Sequence, residues 1–154
     1  MRALIQRVSS ASVSVDGKVC GKCEEGLLIF LGVGNSDTEN EIKLLADKLL
    51  KLRIFHDGEG KMNRSITDIG GQALIISQFT LYADYSHGNR PNFLMAAKPE
   101  IANEYYEKFC DYMAQNLKSV GRGIFGAEMH VELANEGPVT ILVDTDNFGK
   151  KTAL

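Results

Sequence analysis

The sequence predicts an α/β fold of the α+β type, in which a mainly antiparallel, barrel-like β-sheet carries two long α-helices. Short apolar or alternating runs separated by turn residues recur along the chain, which is typical of strands joined by hairpins. Two segments show the apolar periodicity of long helices. A length of 154 residues suits one domain with a single core, so residues 1–154 are predicted to form one domain.

The chain up to residue 33 is predicted to consist of strands. Asp16-Gly17 is the residue pair of a type I′ hairpin turn, and its surroundings are apolar or alternate between apolar and polar. The strands are predicted at residues 3–9, 12–15, 18–23 and 26–33. Gly32 and Gly34 lie where the last strand ends, but Asp37 occupies the position of a third glycine. We therefore reject a dinucleotide-binding loop here.

Two helices follow from spacing and capping residues. Thr38 and Glu41 are spaced as a capping box, and proline in Lys98-Pro99 suits the first turn of a second helix. The predicted buried stripe of the first helix is Ile42, Leu45, Ala46, Leu49 and Leu52. The predicted apolar face of the second is Ile101, Tyr105, Phe109, Tyr112, Met113 and Leu117, which core packing explains fully.

Polar side chains follow an apolar run in the middle of the chain, residues 73–76. Ser77, Gln78 and Thr80, with Phe79 among them, place hydroxyl and amide groups at the end of a predicted buried strand. A strand that ends in this way can present reactive groups from a rigid support. The alternative is that the two hydroxyls only satisfy backbone groups at the strand end.

A second polar segment, NEGPVT at residues 135–140, lies between two runs with strand patterns. It is predicted to be a turn joining strands at residues 128–134 and 139–143, while the glycine-rich residues 119–126 turn the chain back after the second helix. Proline fixes φ and glycine permits conformations closed to other residues, so Gly137-Pro138 can aim carbonyl oxygens in a fixed direction. A plain hairpin turn is the alternative.

The composition limits the classes of function. The formal net charge of −3 gives no whole-protein field for gripping long nucleic acids, although a pocket that binds a single-stranded RNA end needs none. No apolar run approaches a membrane span and the N-terminus lacks a signal-peptide region, so we expect a cytoplasmic protein without a membrane partner. The nearest thing to a basic patch is either a solvated face or a contact for RNA phosphates: Lys48, Lys51, Arg53, Lys61 and Arg64.

The cysteines do not predict a metal or redox site. Cys20 and Cys23 form a CxxC pair, but a zinc site needs two more ligands, and the histidines are scattered at positions 56, 87 and 130. A redox pair would lie at a strand-to-helix junction, whereas this one follows a hairpin turn. We expect no metal and no cofactor.

The two polar segments resemble the signature motifs of the D-aminoacyl-tRNA deacylase (D-tyrosyl-tRNA(Tyr) deacylase) family, an SQxTL strand and an NxGPVT turn. The resemblance continues through GVGNSDT, KLRIF, GKMN, GNRPNF and GIFGAEM in the family's order and spacing, so it covers almost the whole chain. It implies a homodimeric hydrolase that releases D-amino acids from D-aminoacyl-tRNA and also acts on glycyl-tRNA. The implied partner is the aminoacylated 3′ end of tRNA, and no DNA partner is expected.

The resemblance also implies roles for individual residues. A Gly137-Pro138 corner with a cis bond would enter the partner subunit's pocket and exclude L side chains, which is specificity by exclusion. The implied catalytic residues are Ser77, Gln78, Phe79 and Thr80, and the implied substrate-binding residues are Asn135, Gly137, Pro138, Val139 and Thr140.

An ester hydrolase needs an activated nucleophile, a stabilised oxyanion and a positioned substrate. Backbone N–H groups around Phe79 and Thr80 can stabilise the oxyanion, but no histidine is spaced to activate the Thr80 hydroxyl. We therefore favour assistance by the 2′-hydroxyl of the terminal adenosine, with Thr80 positioning the substrate. Two other functions stay open: hydrolysis of small D-amino acid esters without tRNA, and non-catalytic binding of aminoacyl-tRNA.

Overall fold

The computed structural model describes residues 1–150 and contains a mixed, nearly closed barrel-like sheet, a small two-stranded sheet and two long helices. In chain order the elements are β1 (Arg2–Val15), β2 (Lys18–Cys23), β3 (Gly26–Gly32), α1 (Glu39–Lys51), β4 (Phe55–His56), β5 (Met62–Arg64), β6 (Gln72–Ser77), α2 (Pro99–Asn116), β7 (Val120–Arg122) and β8 (His130–Asp144). The predicted fold class is confirmed. None of the helices described is long and apolar enough to cross a membrane.

The long strand β1 organises the sheet because it pairs along both of its edges. On one edge it pairs antiparallel with β2 and β3, and on the other it pairs antiparallel with β8. Beyond β3 the sheet continues through β6 and β7 in parallel pairings, so it is mixed. The hairpin between β1 and β2 is confirmed, with positive φ at both Asp16 and Gly17.

The barrel nearly closes because β2 and β7, at opposite ends of the sheet path, approach each other closely. Glycine permits that approach on both strands. A Cβ on Gly121 would lie 2.5 Å from the carbonyl oxygen of Lys22, and one on Gly21 would lie 2.4 Å from that of Arg122. The strand β7 lies within the segment predicted to be a turn, residues 119–126, so that part of the prediction was wrong. A three-residue strand with two small or polar residues carries almost no strand pattern.

The helices begin where predicted, but their buried faces differ in part. The capping box is present, with the Thr38 amide donating to Glu41 Oε2 at 2.6 Å. Leu50, not Leu52, completes the buried stripe of α1. On α2 the buried residues are Ala102, Tyr106, Phe109, Cys110 and Met113, whereas Ile101 is 45% exposed. Tyr106 can be buried because its hydroxyl donates to the Ile75 carbonyl oxygen at 2.7 Å.

The C-terminal strands predicted as two are one bulged strand. Both halves of β8 pair with β1, since Gln6 faces Thr140 and Val8 faces Asn135, and residues 136–139 bulge out opposite the single residue Arg7. The two halves run in the same direction, so the segment is no hairpin turn. A polar Gly-Pro stretch between two apolar runs cannot distinguish these cases, because pairing with a shared distant strand is what decides.

The N-terminus ties the start of β1 to two loops. The Met1 ammonium, with no exposed side-chain surface, donates to Asp37 Oδ1 at 2.6 Å and to Thr145 Oγ1 at 2.7 Å. Asp37 Oδ2 accepts from the Gly34 amide at 2.6 Å. A buried charge needs a partner and further hydrogen bonds. These contacts therefore fix the loop after β3 against the strand at the centre of the sheet.

Candidate active site

The candidate active site begins where β6 ends. The Gln78 amide donates to the Leu31 carbonyl oxygen at 2.8 Å, which is the last bond between β6 and β3. The chain then tightens into a 3₁₀ turn, Phe79–Tyr82, in which the Leu81 amide donates to the Gln78 oxygen at 3.3 Å. The SQFTLYAD segment is thus a strand end followed by a 3₁₀ turn.

The buried ring of Tyr82, the last residue of the 3₁₀ turn, holds the turn against the rest of the protein. Gly34 allows the ring to approach, because a Cβ there would lie 2.8 Å from the Tyr82 hydroxyl oxygen. The Arg2 guanidinium lies 4.5 Å from the ring centroid and donates to the Leu81 carbonyl oxygen at 3.0 Å. Burial, and then the charge of Asp37, raise the pKa of Tyr82, so its hydroxyl stays neutral. Gly32 and Gly34, for which a dinucleotide-binding loop was rejected, leave room for the Tyr82 ring.

Beside the turn lies a cavity of about 570 Å³, the size of a small-molecule site. Ser77, Gln78 and Phe79 form its polar end. The Phe79 and Phe93 rings meet edge to face at its mouth, with centroids 4.9 Å apart. The remaining lining residues are mostly apolar: Leu31, Val33, Ile76, Ala96, Ala97, Pro99, Ala102, Tyr106, Phe125, Gly126, Ala127, Met129 and Val131. The cavity suits a flat, largely apolar group attached to a polar one.

The polar end carries donors but no base. Phe79 and Thr80 are the first residues of the 3₁₀ turn, so their amides have no acceptor within it. The Gln78 side-chain amide donates to the Thr80 hydroxyl, which lies at the exposed side of the turn. Among the residues lining the cavity there is no histidine, aspartate or glutamate. This arrangement can polarise a carbonyl group and orient a substrate.

The second predicted segment forms the bulge of β8, and Asn135 closes it. Its side-chain nitrogen donates to the Val139 carbonyl oxygen and to Thr140 Oγ1, both at 3.1 Å, while its oxygen accepts from the Val139 amide at 2.8 Å. Val139 is buried, whereas Gly137 and Pro138 are exposed and joined by a cis peptide bond. Gly137 has φ +142°, and a Cβ there would lie 2.8 Å from the Val139 nitrogen, so glycine is required.

Arg7 supports the bulge and was missed by the motif analysis. Its side chain is buried, with Nε donating to the Glu136 carbonyl oxygen at 2.9 Å and Nη1 to the Ile54 carbonyl oxygen at 2.6 Å. A signal was present in the sequence, because Arg7 continues the inward alternation of Ala3 and Ile5 along β1. An arginine at a buried position almost always binds specific partners.

The two predicted site segments do not meet within one chain. No residue of Asn135–Thr140 lines the cavity. Along the sheet, the bulge lies level with Ala73 of β6, and β8 is three strand spacings from β6. The segments are therefore separated by roughly 14 Å across the strands and about 13 Å along them, measured over the sheet. The structure keeps the residues of Ser77–Thr80 next to one another at the end of β6 and those of Asn135–Thr140 next to one another at the bulge. It does not bring the two segments into contact.

The cysteine pair and the predicted basic patch do not line the cavity. Cys20 is exposed and Cys23 is buried, and burial raises the pKa of the Cys23 thiol to about 11. In the predicted basic patch, Arg53 donates to the Asn63 carbonyl oxygen at 2.9 Å and Arg64 to that of Asp68 at 2.7 Å. Within residues 1–150 no group of three or more histidine, cysteine, aspartate or glutamate side chains is placed to hold a metal ion.

Comparisons with known proteins place the chain among hydrolases that act on tRNA. Residues 4–144 match the family model described as D-Tyr-tRNA(Tyr) deacylase. The chain belongs to this family. A protein of Roseiflexus castenholzii named D-aminoacyl-tRNA deacylase is 59% identical, covering 96% of this chain and 94% of its own. One of Dictyoglomus turgidum with the same name is 52% identical, covering 97% and 96%.

Solved structures agree with the deacylase fold. A structure named c-Myc DNA Unwinding Element Binding Protein matches with a TM-score of 0.89 and 36% identity, covering 94% of this chain and 99% of its own. Another, described as "a probable eukaryotic D-amino acid tRNA deacylase", matches with a TM-score of 0.81, covering 92% and 97%. At 16% identity the second likeness shows the fold alone.

Replacing Arg7 with lysine should destabilise the fold and loosen the bulge. Lysine carries all its N–H donors on one nitrogen, whereas Arg7 uses Nε and Nη1, so we expect either the Glu136 or the Ile54 carbonyl oxygen to lose its partner in a buried site. We expect a loss of roughly 2–3 kcal/mol in the free energy of unfolding, measured by urea denaturation. Arg64→Lys, at an exposed arginine, is the matched control and should change little. Equal small effects for both would show that the fork of Arg7 is dispensable.

Proposed function

We propose that this chain hydrolyses the ester bond of D-aminoacyl-tRNA, releasing free tRNA and the D-amino acid in the cytoplasm. The observation that carries the proposal is the apolar cavity ending at the free amides of the Phe79–Tyr82 turn. Family membership and the names of the full-length relatives support the same activity. The net charge of −3 argues against a duplex DNA partner, which would need a basic face.

In this proposal the cavity binds the terminal adenosine of the tRNA. A base is flat and stacks on aromatic rings, and Phe79 and Phe93 offer such rings at the mouth. The attached ester would then lie at the polar end, beside Ser77 and Gln78. Its carbonyl oxygen would accept from the Phe79 and Thr80 amides, which are already oriented and have no competing acceptor in the turn.

The substrate itself supplies the missing base function. Water attacks the ester carbon, the bond to the adenosine oxygen breaks, and that oxygen takes up a proton. The neighbouring 2′-hydroxyl orients the water and passes the proton, because the lining of the cavity has no titratable side chain suited to the task. Thr80, exposed and bonded to Gln78, positions the substrate.

Chiral selection would come from Gly137-Pro138 of a second subunit. Within one chain this segment lies away from the cavity, yet its Gly137-Pro138 pair is exposed and its conformation is fixed by the hydrogen bonds of Asn135. In a two-fold homodimer each bulge enters the other subunit's site, giving two identical composite sites. The inserted backbone would bind the substrate amino group and occupy the space of an L side chain. Glycine has no side chain, so glycyl-tRNA would also be hydrolysed.

The first test compares matched D- and L-aminoacyl-tRNA with purified protein. Hydrolysis of the D-form should be faster by on the order of 100-fold or more, since an L side chain would collide with backbone. Release of free amino acid is the measurement. Comparable rates on both would contradict chiral selection. Equal turnover of small D-amino acid esters without tRNA would favour a general esterase, and binding without turnover would favour a non-catalytic module.

Thr80→Ala should lower the rate by no more than roughly tenfold, because it removes one hydrogen bond, whereas removing a true nucleophile costs on the order of 10⁶-fold. A substrate ending in 2′-deoxyadenosine should lose on the order of 10²- to 10⁴-fold. Single-turnover rates measure both. An inactive Thr80→Ala variant together with normal turnover of the deoxy substrate would make Thr80 the nucleophile.

Mixing two inactive variants tests the composite site. Ala127→Trp should block the cavity, and Gly137→Ala should displace the bulge. In a randomly mixed dimer population about a quarter of the sites would draw only on unaltered segments, so activity should return towards a quarter of the wild-type value. Subunit exchange is checked separately with two affinity tags. Confirmed exchange without recovery would show that each site is built within one chain.

A further inference from the structure

The chain has six arginines, and the side chains of five of them form hydrogen bonds within the described residues. Arg2 and Arg122 bind carboxylates, and the others bind backbone carbonyl oxygens: Arg7, Arg53 and Arg64. Arg90 has neither a hydrogen bond nor an ion pair in the structure of residues 1–150. It lies in the exposed GNRP stretch of the loop after the active-site turn. An exposed arginine whose guanidinium has no hydrogen-bond partner is available to bind an external anion.

Backbone hydrogen bonds close the loop that carries Arg90 at its base. Asp84 and Asn92 exchange two backbone hydrogen bonds of 2.9 Å, so the seven residues between them form a closed projection. The Asp84 carboxylate accepts from the Ser86 amide at 3.0 Å and the Ser86 hydroxyl at 2.7 Å. These bonds lower the pKa of Asp84 and direct its charge into the base of the loop. We call residues 85–91 the rim loop.

The rim loop stands at the mouth of the cavity. Phe93, directly after its base, lines the cavity and contacts the Phe79 ring. The following residues are held against the end of β3, since the Ala97 amide donates to the Val33 carbonyl oxygen at 2.9 Å. Arg90 precedes Phe93 by three residues, so its Cα lies within about 10 Å of that of Phe93. A group leaving the cavity mouth is within reach of its guanidinium.

The chemistry of this segment fits single-stranded RNA. From Tyr85 to Pro99 the sequence contains His87, Arg90 and Lys98 and no aspartate or glutamate, although the whole chain is acidic. Tyr85 is 75% exposed, so its ring is open to an external stacking partner. A guanidinium for phosphate and an exposed ring for stacking are the two elements of sequence-tolerant binding to single strands.

We propose that the rim loop binds the unpaired nucleotides that precede the terminal adenosine, with Arg90 on a phosphate and Tyr85 stacked on a base. This inference rests on the proposed function, which places the terminal nucleoside in the cavity. The rim loop thereby distinguishes an RNA end from a free aminoacyl nucleoside. It also supplies local positive charge that the protein as a whole lacks.

The test uses substrates of increasing length that carry the same D-aminoacyl ester: adenosine alone, the dinucleotide CA, the trinucleotide CCA, and full tRNA. Arg90→Ala and Tyr85→Ala are compared with the wild type, and Arg90→Lys and Tyr85→Phe are the conservative variants. Lys18→Ala, in the distant β1–β2 hairpin, removes the same charge as Arg90→Ala and is the matched control. Values of kcat and KM are measured for each pair at several salt concentrations.

For Arg90→Ala we expect unchanged kcat/KM on the adenosine ester and about a tenfold loss, mainly in KM, once a phosphate is added. The slope of log kcat/KM against log salt should fall in magnitude by about 0.7, as for one phosphate contact to a single strand. Tyr85→Ala should lose about tenfold on the longer substrates without a change in salt slope, and Tyr85→Phe should restore the loss. Lys18→Ala should match the wild type throughout.

Other results would overturn the proposal. Equal losses on the adenosine ester and on tRNA would mean that the rim loop shapes the cavity only, and no loss on any substrate would mean that it does not bind RNA. A shift from dimer to monomer in the variants, measured by light scattering, would make the rim loop a subunit contact. A wild-type protein inactive on every substrate would refute the proposed function itself, which none of the preceding results would do.

Discussion

The double-sided pairing of β1 is the constraint on which the rest of the structure depends. Its fourteen residues hold β3 and β2 on one edge and β8 on the other, so a slip by one residue would turn every buried side chain of the strand outwards. The same register sets where β6 ends, through β3, and where the bulge of β8 projects. Both site segments are therefore positioned by one strand that contains neither.

Two buried charged groups, the Met1 ammonium and the Arg7 guanidinium, fix the two candidate site segments against β1. The Met1 ammonium binds Asp37, whose other oxygen holds Gly34, and the Tyr82 ring packs on that glycine beneath the 3₁₀ turn. Arg7, the sixth residue of β1, links the bulge to Ile54 in the same manner. Charged groups are costly to bury, and in each case the cost is offset by several short hydrogen bonds. The result is one fixed platform at the start of β1 and another near its middle, which suits a site that works by positioning.

The local features of the fold could be predicted from the sequence, and the features that depend on distant pairing could not. The capping box at Thr38, the hairpin at Asp16-Gly17 and the helix start at Pro99 are each specified by neighbouring residues, and all are confirmed. The bulge of β8 was predicted as a turn because only its shared partner β1 reveals it. The candidate site segments were predicted from their polar residues and the family resemblance, whereas the sequence around Arg7 is that of an ordinary strand and only its burial distinguishes it.

The open edge of β8 supports the proposed homodimer. Within the described residues β8 pairs only with β1, so its other edge is open along fifteen residues and carries Leu133, 40% exposed, and Leu142, 58% exposed. A long open edge with apolar side chains invites pairing with another chain. The exposed Gly137-Pro138 bulge interrupts the pairing of β8 midway along the strand. In the proposed homodimer, covering the edge and delivering the bulge to a neighbouring cavity would be one event, so chiral selection would exist only where the open edge is also protected.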